Sequence, residues 1–551
     1  MKRLTLTLLG VAFAATLNAQ VEDDWETKMK QSRESAQESF AKFRQKALDD
    51  YENFRQKANA EYAKFLEEAW KPFDSKPAEE IPWQPKPVVP NFTYDDPDPE
   101  PVPNPQPDPV PSPEPVKISE LTPVPEPEPE PIPVPDPVVV PDFERSDEAA
   151  PVPIPAPRRK SEQIQFESVV ADPKPISRPQ PVEPIVPKPV PAAAAQTLNF
   201  YGSSFPFHLD KEETLHLKDI SEKSVAQLWT QLSDSRYDNV IAECLQQREE
   251  RNLCDWAYVK LTQSVAEKYC GAKTNEAVVM QMYLLTQSGY QTRIARADKR
   301  LTLLLGSVEK IYRYKYFQLD GLKFYIIDRS LENMQMNISN HAFPGEKPFS
   351  MTMTQPKLNV KKTEKRTIVS KRYPDVKITV ETNRNLIDFF NDCPLSAQWN
   401  YYSKASMSDV LKESLYPGLR KAIEGKSELE AVDILLNFVQ TGLSYATDGE
   451  QFGYERPLYP DETIFYPYCD CEDRSILFSC LVRELVGLDV VLLNYPGHLA
   501  TAVHFNENVT GDYLTIDGKT YLICDPTFIN GAPVGRCAKE FKAEKPKVVK
   551  I

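Results

Sequence analysis

Four stretches of the chain distribute their apolar residues differently. Behind Lys2-Arg3 an unbroken apolar run extends from Leu4 to about Leu17 and ends at Asn18-Ala19-Gln20. A basic start, a core too brief to span a bilayer and a small residue at the cut predict a cleavable export signal over 1–19. From 22 to 70 the apolar period is eleven residues, read as FAKFRQKALDD, YENFRQKANAE and YAKFLEEAW. Phe40, Tyr51 and Tyr62 fall in phase, as do Phe43, Phe54 and Phe65, and then Ala47, Ala58 and Ala69. Eleven residues are close to three helical turns, so these positions form one nearly straight stripe on a long amphipathic helix. Six aromatics on one face need a partner surface, and self-association is the first expectation.

Residues 71–192 lose apolar periodicity and hold most of the 51 prolines, many alternating with Glu, Asp or Val. Proline fixes φ and lacks an N–H, which predicts a disordered, extended, solvated linker. From 195 onward both helical and strand periods appear. Helices are expected over 221–233, 254–270 and 275–289, and strands near 301–305, 313–319 and 322–327. A β-rich stretch follows over 349–382, with alternation in SMTMTQPKLNV and VKITVET. Helices return over 407–422 and 427–443, and 446–469 reads as irregular. The expectation is an α+β chain with domains over 195–344 and 401–551, joined by a β-rich connecting segment, 345–400.

Charge and cysteine count narrow the partners. A net charge of −15 argues against nucleic acid and against anionic lipid. After the export signal no apolar stretch is long enough to cross a membrane. The mature protein is expected to be soluble in the periplasm or at the surface of a bacterium. Nine cysteines in an oxidising compartment leave at least one thiol unpaired. With five histidines and no zinc-type spacing, neither a metal nor a cofactor is expected.

The chemistry concentrates in YPYCDCEDRSILFSCLVRELVG. Asp470 and Asp473 have the spacing of a carboxylate capping box, and Gly487 ends the helix. Cys471 is therefore the first helical residue, where free N–H groups and the dipole favour a thiolate. Glu472 and Asp473 oppose this, so an imidazolium would be needed nearby. A structural disulfide is the other use of such a cysteine. Downstream, YPGHLATAVHF reads as a turn and a strand opening at His498, and DYLTIDGKTYLICDPT as two short strands ending at Asp525. Antiparallel pairing of 520–525 with 499–505 brings Asp525 to His498 and turns His498 toward Cys471. His504 would compete if strand 512–516 lay between the two.

CEDRSILF, GHLATAV and CDPT, in that order, resemble the transglutaminase-like superfamily over about 405–551. The resemblance implies a papain-like fold with Cys471 as nucleophile, His498 as base and acid, and Asp525 as orienting carboxylate. The strand has HLAT where the family commonly has a tryptophan. The oxyanion partner is unassigned, with Gln451 and Tyr454 as candidates.

The middle of the chain repeats the plan. TNEAVVMQMYLLTQSGYQTRIA resembles the cysteine helix, with Gly289 in the place of Gly487. LDGLKFYIID resembles IDGKTYLICD, so that Asp328 corresponds to Asp525. Lys273, Thr274 or Asn275 falls where the cysteine would be and Arg300 where the histidine would be, which reads as a degenerate transglutaminase-like domain. The function expected is thioester-mediated acyl transfer on a protein or peptide amide, hydrolysis before cross-linking. A non-catalytic scaffold is the alternative.

Overall fold

A computed structural model describes residues 2–82, 161–170, 177–181, 185, 195–208 and 215–551. Side chains of the first helix are described continuously from Gln37. The centre of the proline-rich segment and the side chains of the expected export signal lie outside the described residues. Within them the chain is α+β, and no helix is long and apolar enough to cross a membrane.

The first helix, Lys2–Glu67, carries the eleven-residue stripe, and the stripe divides. The C-terminal part of the helix is docked along one edge of the stripe: Ala58, Tyr62, Ala63 and Leu66 are buried, Tyr62 packs against Trp229 and Phe343, and Phe65 stays 39% exposed. Arg55 anchors the same face through Asp238, with Nη2–Oδ2 at 2.6 Å and both side chains buried. Phe40, Phe43 and Phe54 remain exposed.

Both described ends of the proline-rich segment are engaged with sheets, which corrects the expectation of solvation throughout 71–192. Lys71–Phe73 pairs antiparallel with Met336–Ser339. Glu162–Gln163 and Val169–Val170 pair parallel with Asp512–Ile516 and Lys547–Lys550. The reason is local: residues between prolines keep their donors, and an edge strand needs donors on one side only.

Two sheets dominate. The middle one has the order Lys71–Phe73, Met336–Ser339, Thr292–Ala297, Arg300–Ser307, Leu322–Ile326, Tyr316–Leu319. The C-terminal one runs Val169–Val170, Lys547–Lys550, Val490–Tyr495, His498–His504, Lys519–Cys524, Asp512–Ile516, with Glu162–Gln163 on the far edge. Glu162–Gln163 apart, the six strands of each sheet follow the same chain order, although Lys71–Phe73 pairs antiparallel and Val169–Val170 parallel. Their Asp-Gly hairpins also agree, with φ +48° and +83° at Asp320-Gly321 and +50° and +78° at Asp517-Gly518. Left-handed φ at both central residues defines the turn that matches strand twist.

Helices Glu222–Leu232, Asp255–Cys270 and Asn275–Gln287 pack with the middle sheet. A further helix, Asp238–Glu250, was not legible because it buries polar residues, Arg248 and Gln247 among them. Strand Thr292–Ala297 hides its burial behind Arg293, which is neutralised by Glu346 at 2.8 Å. The expected β-rich segment 345–400 has only two paired strands, Arg366–Val369 and Lys377–Val380, followed by helices Arg384–Asn391 and Trp399–Lys404. Its alternation over 350–355 is real but unpaired: Met351 and Met353 insert into the middle core from an extended strap. That core continues through Phe389, Phe390 and Tyr402 to Tyr459. A second core lies between the C-terminal sheet and helices Asp409–Ile423, Glu428–Gly442 and Cys471–Leu485.

Candidate active site

Strand Tyr468–Cys469 leads into helix Cys471–Leu485, and Asp470 between them is extended. Asp473 Oδ2 accepts the Asp470 N–H at 3.3 Å, fixing the helix start. Burial of every residue from Cys471 to Val482 then embeds this helix in the domain. Arg474 is fully buried and donates to the carbonyls of Gln440 and Leu443, at the end of helix Glu428–Gly442. A cation over free C-terminal carbonyls offsets their partial charge.

His498 opens its strand, which lies between Val490–Tyr495 and Lys519–Cys524, both antiparallel to it. Thr501 registers with Cys524, so Asp525 emerges beside the start of the histidine strand. His498 Nε2 is 2.8 Å from Asp525 Oδ2, and both residues are buried. The remaining lone pairs of Asp525 are used as well. Its Oδ1 accepts from the Thr527 N–H at 2.9 Å, and its backbone oxygen accepts from Gln440 Nε2 at 2.8 Å. The imidazole stacks on Phe541 with centroids 4.5 Å apart and planes 4° from parallel. Its Nδ1 is buried without a hydrogen-bond partner. That nitrogen is the one free to exchange a proton.

Cys471 is 3% exposed and packs with Trp399, Leu492, Leu499 and Val549. Leu499 packs against it, which places the thiol beside the residue that follows His498. The thiol proton goes to Glu472 Oε2 at 3.1 Å, and no hydrogen bond joins Cys471 to His498. Burial, then the charges of Glu472 and Asp470, holds this thiol well above the ordinary cysteine range. The helix terminus therefore does not make a resting thiolate. A dipole worth about 1 kcal/mol is outweighed by desolvation that can move a pKa by roughly 3–5 units.

His504 lies at the other end of the strand, with Nδ1 2.9 Å from the Thr520 oxygen. Strand Asp512–Ile516 is outside Lys519–Cys524 and does not come between it and the histidine strand. Gln451 exchanges hydrogen bonds with the Tyr468 backbone, and Tyr454 lies under the Arg313 guanidinium. All nine cysteines are free thiols.

Sequence reasoning missed Phe541, Gln440 and Trp399, none of which sits in a recognisable motif. It also missed how many acids gather behind the cysteine. Oxygens of Asp448, Asp470 and Asp473 lie within 4.8 Å of one another, as do those of Asp448, Glu455 and Glu472. Burial and mutual repulsion raise Asp448 to about 11, Glu472 to about 8 and Asp473 to about 7. Hard oxygens at this spacing could hold a divalent cation, and without one they share protons. Asp448 and Glu455 come from the stretch read as irregular, so no spacing rule linked them to the helix.

The middle domain repeats the geometry with other residues. Helix Asn275–Gln287 starts beside strand Arg300–Ser307, and the Leu301 N–H donates to Asn275 Oδ1 at 2.8 Å. Asn275 opens its helix as Cys471 opens its own, and Lys273 and Thr274 precede that start. Arg300 Nη2 is 2.6 Å from Asp328 Oδ2, in the relation His498 has to Asp525. Compared with family models, curated proteins and solved structures, the chain matches none.

Proposed function

We propose that the chain is an exported transglutaminase-like cysteine enzyme acting on protein or peptide amides, with Cys471, His498 and Asp525 as its reacting set. The observation that carries this reading is the buried His498–Asp525 pair, with Nδ1 left unpartnered on a strand whose next residue packs with Cys471. In the proposed cycle His498 Nδ1 accepts the Cys471 proton and the sulfur bonds to the amide carbon. The C–N bond then breaks as the imidazolium returns the proton to the leaving amine. Water, activated by the same imidazole, hydrolyses the thioester; a lysine amine in its place would give cross-linking. Because the resting thiol is protonated, transfer to His498 belongs to catalysis itself rather than to the ground state.

Export rests on the sequence of 1–19. Self-association through helix 22–70 is supported by the exposure of Phe40, Phe43 and Phe54 on the undocked part of the stripe. A second reading, a non-catalytic scaffold, is favoured by the burial of Cys471 and the bond of its thiol to Glu472. One experiment separates them: incubation with a mixed peptide and amine library, scoring cleavage and amine incorporation. The enzyme reading expects turnover that Cys471→Ala abolishes. Equal product from wild type and Cys471→Ala, or none from a wild type that a cysteine-directed probe also leaves unlabelled, favours the scaffold.

A further inference from the structure

Both outer edges of the C-terminal sheet are occupied by one short segment of the chain. Glu162–Gln163 pairs with Asp512–Ile516 and Val169–Val170 with Lys547–Lys550, each through two residues. The stretch from Gln163 to Val169 reaches at most roughly 20 Å, whereas seven flat strands would set the two pairings about 29 Å apart. The sheet therefore curls, and residues 161–170 cross between its edges. The Ile164 N–H donates to the Tyr513 oxygen at 2.6 Å, and the Val548 N–H to the Ser168 oxygen at 3.1 Å. Ile164 itself is buried.

The crossing bears on both halves of the candidate site. Val170 stands in register with Val549 and packs against the cluster formed by Cys471, Trp399, Leu492, Leu499 and Val549. At the other edge, Glu162 Oε2 accepts from Lys542 Nζ at 2.8 Å. Lys542 follows Phe541, whose ring lies on the His498 imidazole. One segment thus holds both the strand beside the cysteine and the short helix, Lys539–Lys542, against the histidine.

The middle domain has the same sheet without this cover. Residues 71–76 cross it in a similar way, through Lys71–Phe73 on one edge and Lys76 opposite Tyr316 on the other. No residue of that crossing lines the cavity of about 580 Å³ that opens beside Thr274, Arg300 and Asp328. The connection from Asp328 to the next strand is 329–335, whereas 526–546 follows Asp525 and carries Phe541 and Lys542. Closure over Cys471 and His498 is an addition to the shared plan, not a requirement of it.

The hold is light. A strand of two residues paired on one side belongs to the least stable parts of a fold. The Glu162–Lys542 pair is partly exposed, where such bridges contribute little. An extended peptide pairing along the whole of Lys547–Lys550 makes more main-chain bonds than Val169–Val170 does.

We propose that residues 161–170 are an autoinhibitory strap, which covers Cys471 and His498 until an extended peptide substrate takes the place of Val169–Val170 on the edge of Lys547–Lys550. Substrate entry by strand addition rests on the reading of Cys471 as a nucleophile; the cover does not, because alkylation reports it whether or not the site turns over.

The test is the rate at which iodoacetamide alkylates Cys471 in the full chain, read by mass spectrometry at each cysteine. Ile164→Gln combined with Val170→Gln is expected to raise that rate at least tenfold, while Cys244 in the middle core stays protected. The free peptide SEQIQFESVV, the sequence of 161–170, is expected to slow the variant again at least fivefold, and a scrambled peptide to leave it unchanged. On a peptide library the variant is expected to turn over at least fivefold faster than wild type. Alkylation unchanged in the variant, or not slowed by the peptide, overturns the strap. Exposure of Cys244 together with Cys471 marks unfolding; Glu162→Gln, at an exposed position, then carries the same comparison with a rise of at least twofold expected. Faster alkylation without turnover by either chain keeps the strap and removes the enzyme reading. Turnover by wild type at the variant's rate removes the strap and keeps the enzyme.

Discussion

Asp525 Oδ2 meets His498 Nε2 at 2.8 Å while its Oδ1 is held by the Thr527 N–H at 2.9 Å. The carboxylate is thus fixed at both oxygens and dictates which imidazole nitrogen carries hydrogen. An Asn in its place can donate to Nε2 and reverse the tautomer, leaving Nδ1 protonated and unable to accept from Cys471. On the proposed enzyme reading, Asp525→Asn is expected to lower turnover by about a hundred- to ten-thousand-fold. The pH dependence of Cys471 alkylation by iodoacetamide should change with it. A variant that loses turnover with an unchanged alkylation profile would leave Asp525 a structural role only.

The acids behind the cysteine give a signed pH dependence. Glu472 and Asp473 are raised to about 8 and about 7, against roughly 4 for unfolded carboxyls. Between those values the folded state binds more protons than the unfolded one, so stability falls as pH rises from about 4 to 8. The urea midpoint should be higher at pH 5 than at pH 8. Asp448→Asn, which removes one titrating carboxyl from the cluster, should flatten the difference; an unchanged slope would show that the cluster does not set it.

Two glycines in matching places should respond differently. Gly289 and Gly487 both end their helices with φ near +80° to +90°, where any other residue is strained by about 1–2 kcal/mol. A Cβ on Gly487 would meet nothing within 4 Å, whereas one on Gly289 would fall 1.9 Å from the Gln180 oxygen. Gly289→Ala should therefore cost more in thermal unfolding than Gly487→Ala. It should also raise proteolysis near residues 177–181, which Gly487→Ala leaves unchanged.

The first helix should be held by one ion pair more than by its stripe. Arg55→Ala removes the guanidinium that pairs with the buried Asp238 carboxylate, a loss on the order of 3 kcal/mol in docking. Hydrogen exchange over residues 55–66 should rise by at least tenfold, and Asp238→Asn in the same chain should recover part of the protection. Exchange unaltered by Arg55→Ala would assign the docking to Tyr62 and Leu66 alone.

Much of this organisation was written in one dimension. The eleven-residue stripe, the Asp-Gly hairpins, the glycine helix stops and the order Cys471, His498, Asp525 are local or periodic features, and local backbone preference is enough to express them. The repeat of the plan between the two domains was visible for the same reason. Tertiary structure alone decided what depends on distance through space. Helix Asp238–Glu250 was hidden because four of its seven buried residues are polar, among them Asp238, which pairs with the distant Arg55. Asp448 and Glu455 joined Asp470, Glu472 and Asp473 only when residues 446–469, with their short helices Asp448–Gln451 and Pro460–Phe465, folded back. Burial together with those charges, and not the helix dipole, set the state of the Cys471 thiol. A dipole can be read from a helix start, but desolvation is a property of everything packed around it.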